Sequence, residues 1–212
     1  MLPSVELVDS EESTVEVFTR SQAAHVLGVS ANTVGKLLGS GFLRDLQAAR
    51  VCALARAPHV SVVQGVLPVL RTAAAVCPAD GDDDRDFIGD SPDLSDEQFL
   101  RASRQWWRCD PETIVAAGVL PVAVAGWVTG VLAVQGHEGT RHGGRGEVRH
   151  SFTATVAGRV GALDAPATFR VLATDRAVAD LTGTLLGARV HTAVSGGPIA
   201  YLRVQPAVGE NA

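Results

Sequence analysis

The chain has one lysine, one tyrosine, one methionine and three cysteines in 212 residues, and aromatic side chains make up only 5%. Cys52, Cys77 and Cys109 are too far apart to form a CxxC metal pair and too few for a disulfide framework, which points to a reducing, cytoplasmic setting. With so few aromatic rings, the core has to be built from Val, Leu and Ala. The first residues, MLPSVELVDSEES, carry acids where a signal peptide needs basic residues and an apolar stretch, so export is not expected. No internal period is present, which excludes collagen, coiled coil and helical repeats. No Walker loop, GxSxG elbow or HExxH occurs, so no catalytic constellation, metal site or cofactor is expected. What is present is 46% apolar residues against 19% charged, enough to pack a core and too little charge for a disordered chain.

The net charge of −5 hides an uneven distribution. Residues 16–56 carry five basic and two acidic groups, residues 80–97 hold nine acids against Arg85, and residues 141–203 hold eight arginines against four acids. Binding follows the local field within a Debye length of roughly 8–10 Å, so the acidic average does not exclude a nucleic-acid partner.

Ile114 to Gly136 is an uncharged stretch of 23 residues, long enough to cross a bilayer of roughly 30 Å. Pro121, four glycines, a mid-segment Trp127 and the lack of flanking basic clusters argue against a span. A buried hairpin of Val119–Val124 and Val128–Val134, turning at Ala125-Gly126, is the expectation, and no membrane partner follows.

The chain divides into an acidic lead-in (1–15), a helical unit (16–57) ended by Pro58, a connecting strand region (58–77), an acidic, solvated linker (78–93) and an α+β second domain (94–212). The run Asp93-Leu94-Ser95-Asp96 is expected to cap a helix running through Glu97–Trp107. Strands are expected at Ser151–Arg159, Ala167–Ala173 and Ala200–Val204, a helix at Asp175–Leu186, and a turn at Ser195–Pro198. The fold class is α+β: a three-helix unit followed by a mostly β domain with one or two helices.

The strongest local signal is RSQAAHVLGVSANTVGKLLGS, from Arg20 to Ser40. Thr19 and Gln22 form a capping box, Gly28 permits the left-handed corner, and Ser30 caps a second helix whose Val34, Leu37 and Leu38 face inward. Ala24, Gly28 and Val34 occupy the framework positions of a helix-turn-helix. Gly35, inside the second helix, costs roughly 1 kcal/mol relative to Ala.

The run Ala24-His25-Val26-Leu27-Gly28-Val29-Ser30-Ala31-Asn32-Thr33-Val34, then Ser40-Gly41-Phe42-Leu43, resembles the excisionase and MerR-like helix-turn-helix families over roughly 40 residues. The resemblance implies that the second helix enters the major groove of double-stranded DNA, with Arg20, Ser30, Ala31, Asn32, Thr33 and Lys36 toward it. Asn and Thr read base edges, and Lys reaches a phosphate or guanine. The basic wing usual in those families is short or missing, because Leu43 leads directly into Arg44-Asp45-Leu46.

The second half adds a Trp106-Trp107 pair, of which one ring can be exposed to stack on a base or a partner. Trp107-Arg108 and the Val122–Val134 hairpin faintly resemble PUA-like and EVE-like barrels, which would imply reading of modified or single-stranded nucleic acid. Residues 136–150 read as a mobile, Gly-rich basic tip, with Arg141, Arg145 and Arg149, together with Arg44, as candidate phosphate contacts. The expectation is a cytoplasmic, sequence-specific DNA-binding protein. It would be a transcriptional regulator, a phage or mobile-element repressor or an excisionase-type factor, acting as a homodimer; the sequence identifies no small-molecule effector. The rival readings are a nucleic-acid-processing or modified-base-reading protein acting through its second domain, and a non-enzymatic assembly protein.

Overall fold

A computed structural model of the chain describes residues 16–78, 84–143, 146–191 and 197–204. The lead-in 1–15 lies outside the described residues. The fold is mixed α+β, with six helices and a curled seven-stranded sheet among the described residues.

Three short helices come first: α1 (Arg20–Leu27), α2 (Ala31–Ser40) and α3 (Ala48–Ala55). The capping box forms as expected, with the Thr19 side chain accepting from the Gln22 backbone while Gln22 Oε1 accepts from the Thr19 N–H at 2.8 Å. Gly28 adopts φ 62°, so α1 closes on a left-handed residue and Val29 N donates to Ala24 O at 3.0 Å. Before α1, residues 16–18 run against 46–48, where Phe18 N donates to Leu46 O and Ala48 N to Glu16 O, both at 2.8 Å.

Next come β1 (Val66–Thr72), α4 (Asp96–Ser103), β2 (Gln105–Trp107), α5 (Pro111–Ala117), β3 (Val119–Val124), β4 (Trp127–His142) and β5 (Val148–Arg159). A 3₁₀ turn at Pro166–Thr168, β6 (Arg170–Val171), α6 (Arg176–Leu185) and β7 (Ile199–Arg203) complete the chain. The sheet order is β2-β5-β4-β3-β1-β7, with β6 beside β5. β1 and β3 run parallel, and the other pairings are antiparallel.

The expected hairpin is present. β3 pairs with β4 from Val119↔Ala133 to Val124↔Trp127, and its two turn residues take positive φ (Ala125 53°, Gly126 94°), as a type I′ connection requires. β3 is buried along its whole length because both faces of the sheet are covered. On one face Val69, Val119, Val124, Val128 and Val131 join Leu27, Leu37, Phe42 and Leu43 of the helical unit. On the other, Leu70, Leu120, Val122 and Leu132 pack with Phe99 of α4 and Ile114 of α5. A strand covered on both faces reads as a continuous apolar run, which is why the segment imitates a membrane span in sequence. No helix among the described residues is long and apolar enough to cross a membrane.

Four expectations are corrected. The helix after Ser95 stops at Ser103, and the Trp pair lies on β2, with Trp106 at φ 62°, a conformation no helix continues. Residues 136–142 and 148–150 are paired strand rather than a mobile tip, since β4 and β5 pair as far as His142↔Val148, and residues 144–145 lie outside the described residues. Strand structure between 167 and 173 shrinks to Arg170–Val171, because Thr168 Oγ1 bonds to Ala165 O at 2.7 Å and holds a 3₁₀ turn. The acidic segment is not uniformly solvated either. Residues 79–83 lie outside the described residues, but Val76 and Ile88 exchange backbone bonds and Asp90 is fully buried.

Asp90 is held by Thr129 Oγ1 at 2.6 Å, Arg159 Nη2 at 3.2 Å and the Ser91 backbone N–H at 2.8 Å. Arg159 also donates to Ser91 O and Leu94 O and lies over the Phe99 ring at 4.2 Å. Burial pushes the Asp90 carboxyl up to about 6 against the pull of Arg159. Gly130 makes the same contact possible, since a methyl group there would overlap the Phe99 ring.

Candidate nucleic-acid interface

α2 has two faces. Val34, Leu37 and Ser40 are buried, and Ser40 Oγ donates to Leu37 O at 2.9 Å, so its polarity is satisfied inside the helix. Ala31, Asn32, Lys36 and Gly39 are exposed at i, i+1, i+5 and i+8, which aligns Asn32 and Lys36 one turn apart on the outer face. Ser30 and Thr33 are engaged locally. Ser30 Oγ accepts from Thr33 N at 3.1 Å and lies 2.9 Å from Thr33 Oγ1, so these hydroxyls shape the helix start before any partner arrives.

Arg20 starts α1, yet its guanidinium reaches across to α2, where it would stand 4.0 Å from a Cβ placed on Gly35. The glycine therefore costs helix propensity but leaves the outer surface of α2 low beneath a cation. Arg20, Lys36 and Arg44 are exposed and have no ion pair among the described residues. Arg50 behaves differently: it is clamped between Asp45 at 3.2 Å and Asp164 at 2.6 Å, tying α3 to the loop after β5. Leu163 N donates to Phe42 O at 3.1 Å on the same seam.

The candidate phosphate contacts on the β4–β5 arm are placed otherwise. Arg141 lies over the Trp106 ring at 4.3 Å and 3.7 Å from Asp84, while Trp106 Nε1 donates to Asp84 Oδ1 at 2.8 Å. Arg149 meets Glu147 at 3.2 Å, and Arg108 reaches the same carboxylate at 3.0 Å. Arg104 pairs with Glu138. Arg145 lies outside the described residues. Trp107 is the buried member of the pair and donates to Ser103 O at 2.7 Å; Trp106 is half-buried.

His137 Nε2 and His150 Nδ1 approach to 3.1 Å on the arm, and burial followed by the charge of His137 holds His150 below the usual histidine range. Among the described residues no group of three or more His, Cys, Asp or Glu side chains is placed to hold a metal ion. Burial, then Asp110, pushes the Cys109 thiol up to about 12, which leaves it a poor nucleophile.

The sequence reading located α2 and its polar face but missed the reach of Arg20 over Gly35. The local signal was a glycine inside an otherwise good helix. Nothing near Asp90 in sequence signals its burial, because its cation lies 69 residues away. No family model, curated protein or solved structure matches this chain.

Proposed function

We propose that residues 16–57 bind duplex DNA as a helix-turn-helix, with α2 in the major groove, in a cytoplasmic regulator that acts as a homodimer. The observation that carries this reading is the outer surface of the unit. Asn32 and Lys36 stand in line on α2, with Arg20 reaching over Gly35 and Ser30 capping the helix start, and Arg20, Lys36 and Arg44 form no ion pair among the described residues. Asn32 has the donor and acceptor pair that matches adenine, Lys36 and Arg20 supply charge for phosphates, and Ala31 leaves room for a thymine methyl. Ser30 and Thr33 serve mainly to cap the helix. A single unit of this size reads only a few base pairs, so specificity requires two copies on adjacent half-sites. The remainder of the chain, from residue 58 onward, is proposed to supply dimerisation and sensing.

Selection of the whole protein against a randomised duplex library tests the reading. The expected result is enrichment of an inverted repeat with half-sites about 10 base pairs apart, with the Asn32→Ala protein losing preference at one position per half-site. Enrichment of no sequence, together with binding that Asn32→Ala leaves unchanged, contradicts it.

A further inference from the structure

The chain between α3 and β1, residues 58–65, forms one wall of a cleft of about 840 Å³. α5 supplies a second wall through Thr113, Ala116 and Ala117, and α6 a third through Leu181, Thr184 and Leu185. Val119 and Ala188 close the floor. Cavities that enclose small organic molecules span roughly 300–1,000 Å³ and are mostly apolar with a few placed polar groups. This one has that make-up, and its lining contains no Asp, Glu, Lys or Arg.

Its polar groups sort by whether they are already engaged. Thr113 Oγ1 donates to Asp110 at 2.6 Å and Thr184 Oγ1 to Asp180 O at 3.0 Å, so both hydroxyl protons are already engaged. His59, Ser61 and Gln64 remain, all on the 58–65 wall. His59 stacks on His191 with ring centroids 4.4 Å apart and planes within 3°. Loss of water, then the nearby charge of Arg189, holds it below the usual histidine range. The wall is anchored rather than loose: Arg189 N donates to Pro58 O at 2.7 Å and Val60 N to Arg189 O at 2.8 Å.

We propose that this cleft is a binding site for an uncharged, largely apolar small molecule, held by the apolar faces of α5 and α6 and oriented by hydrogen bonds to the His59–Gln64 wall. An uncharged lining gives no return for the desolvation of an ionic ligand, whereas it rewards buried hydrocarbon area. The site does not depend on the DNA reading and stands or falls separately.

Titration of the whole protein with Nile red, an uncharged dye whose emission rises in apolar surroundings, tests the proposal. The expected result is saturable binding of one dye per chain, weakened at least tenfold by Ala116→Trp on α5 and by Leu181→Glu on α6. Val171→Glu, an exposed apolar position outside the cleft lining, leaves it unchanged. Both cleft positions are exposed, and circular dichroism with thermal melting identifies any variant that fails to fold; the two lie on different helices, so either suffices. Decanol is expected to displace the dye at concentrations at least tenfold below decanoate. Absence of saturable binding, binding that persists in a folded cleft variant, or equal displacement by decanoate would overturn the assignment.

Discussion

Two groups of basic side chains in this molecule are placed differently. On the β4–β5 arm and its surroundings each described cation has an acidic neighbour: Arg104 with Glu138, Arg108 and Arg149 with Glu147, Arg141 with Asp84. In the N-terminal unit, exposed Arg20 and Lys36 on the helices and Arg44 between α2 and α3 form no ion pair among the described residues. Counting basic residues along the sequence does not separate the two, since both regions score as positive. The difference is where the field is left uncancelled, and attraction to phosphate depends on that remainder. An ion pair cancels part of a cation's field, and a cation without one keeps more of it.

The interior pair is the extreme case of compensation. Arg159→Leu is expected to destabilise the protein by about 3–5 kcal/mol at pH 7, because it leaves Asp90 buried without its cation. Urea denaturation measures this, and a loss below about 1 kcal/mol would mean the pair contributes little. The pH dependence has a definite sign. The Asp90 carboxyl titrates near 6 in the folded chain, above its ordinary value of about 4. Its stabilising contribution is therefore complete below about pH 4 and lost as the pH rises through 6. Asp90→Asn is expected to remove on the order of 1–3 kcal/mol of that decline.

Next in size is the proposed DNA face. Asn32→Ala is expected to cost about 1–3 kcal/mol on the preferred duplex and little on random DNA. Equal losses on both, measured by fluorescence anisotropy, would make Asn32 a backbone contact instead. Within the same helix, Gly35→Ala is expected to raise stability by up to about 1 kcal/mol, since an added methyl meets nothing nearer than the Arg20 tip at 4.0 Å. A lower melting temperature would show that Arg20 needs that space.

The smallest effect belongs to the arm. Arg149→Ala is expected to change DNA affinity by no more than about 0.5 kcal/mol, because Glu147, which it shares with Arg108, faces it at 3.2 Å. A tenfold loss would place the arm on the nucleic acid and erase the distinction between the two regions.

How far the sequence could be read follows the range of the interactions. The caps at Thr19, Ser30, Ser95 and Asp175 are visible in sequence because each is satisfied within three residues. The Ala125-Gly126 turn was visible for the same reason. The arm was misread because Gly-rich sequence signals flexibility, while its order comes from pairing across strands, as between His137 and Phe152. Trp106 was misread because its left-handed backbone interrupts a helix that the residues Glu97–Trp107 otherwise favour. The wall at residues 58–65 carries no periodic signal, and its start is fixed by bonds of Pro58 and Val60 to Arg189, about 130 residues on in sequence.

The decisive measurement is the salt dependence of duplex binding by the whole protein, compared with a variant carrying Arg20→Ala, Lys36→Ala and Arg44→Ala together. Each phosphate contact contributes about 0.9 to the slope of log K against log salt. The expected result is a slope reduced by about 2–3 in the triple variant, with melting temperature unchanged and with the slope of Arg141→Ala, Arg149→Ala equal to that of the unmodified protein. An unchanged slope in the triple variant, or a larger loss from the arm pair, contradicts the assignment of the helical face to DNA.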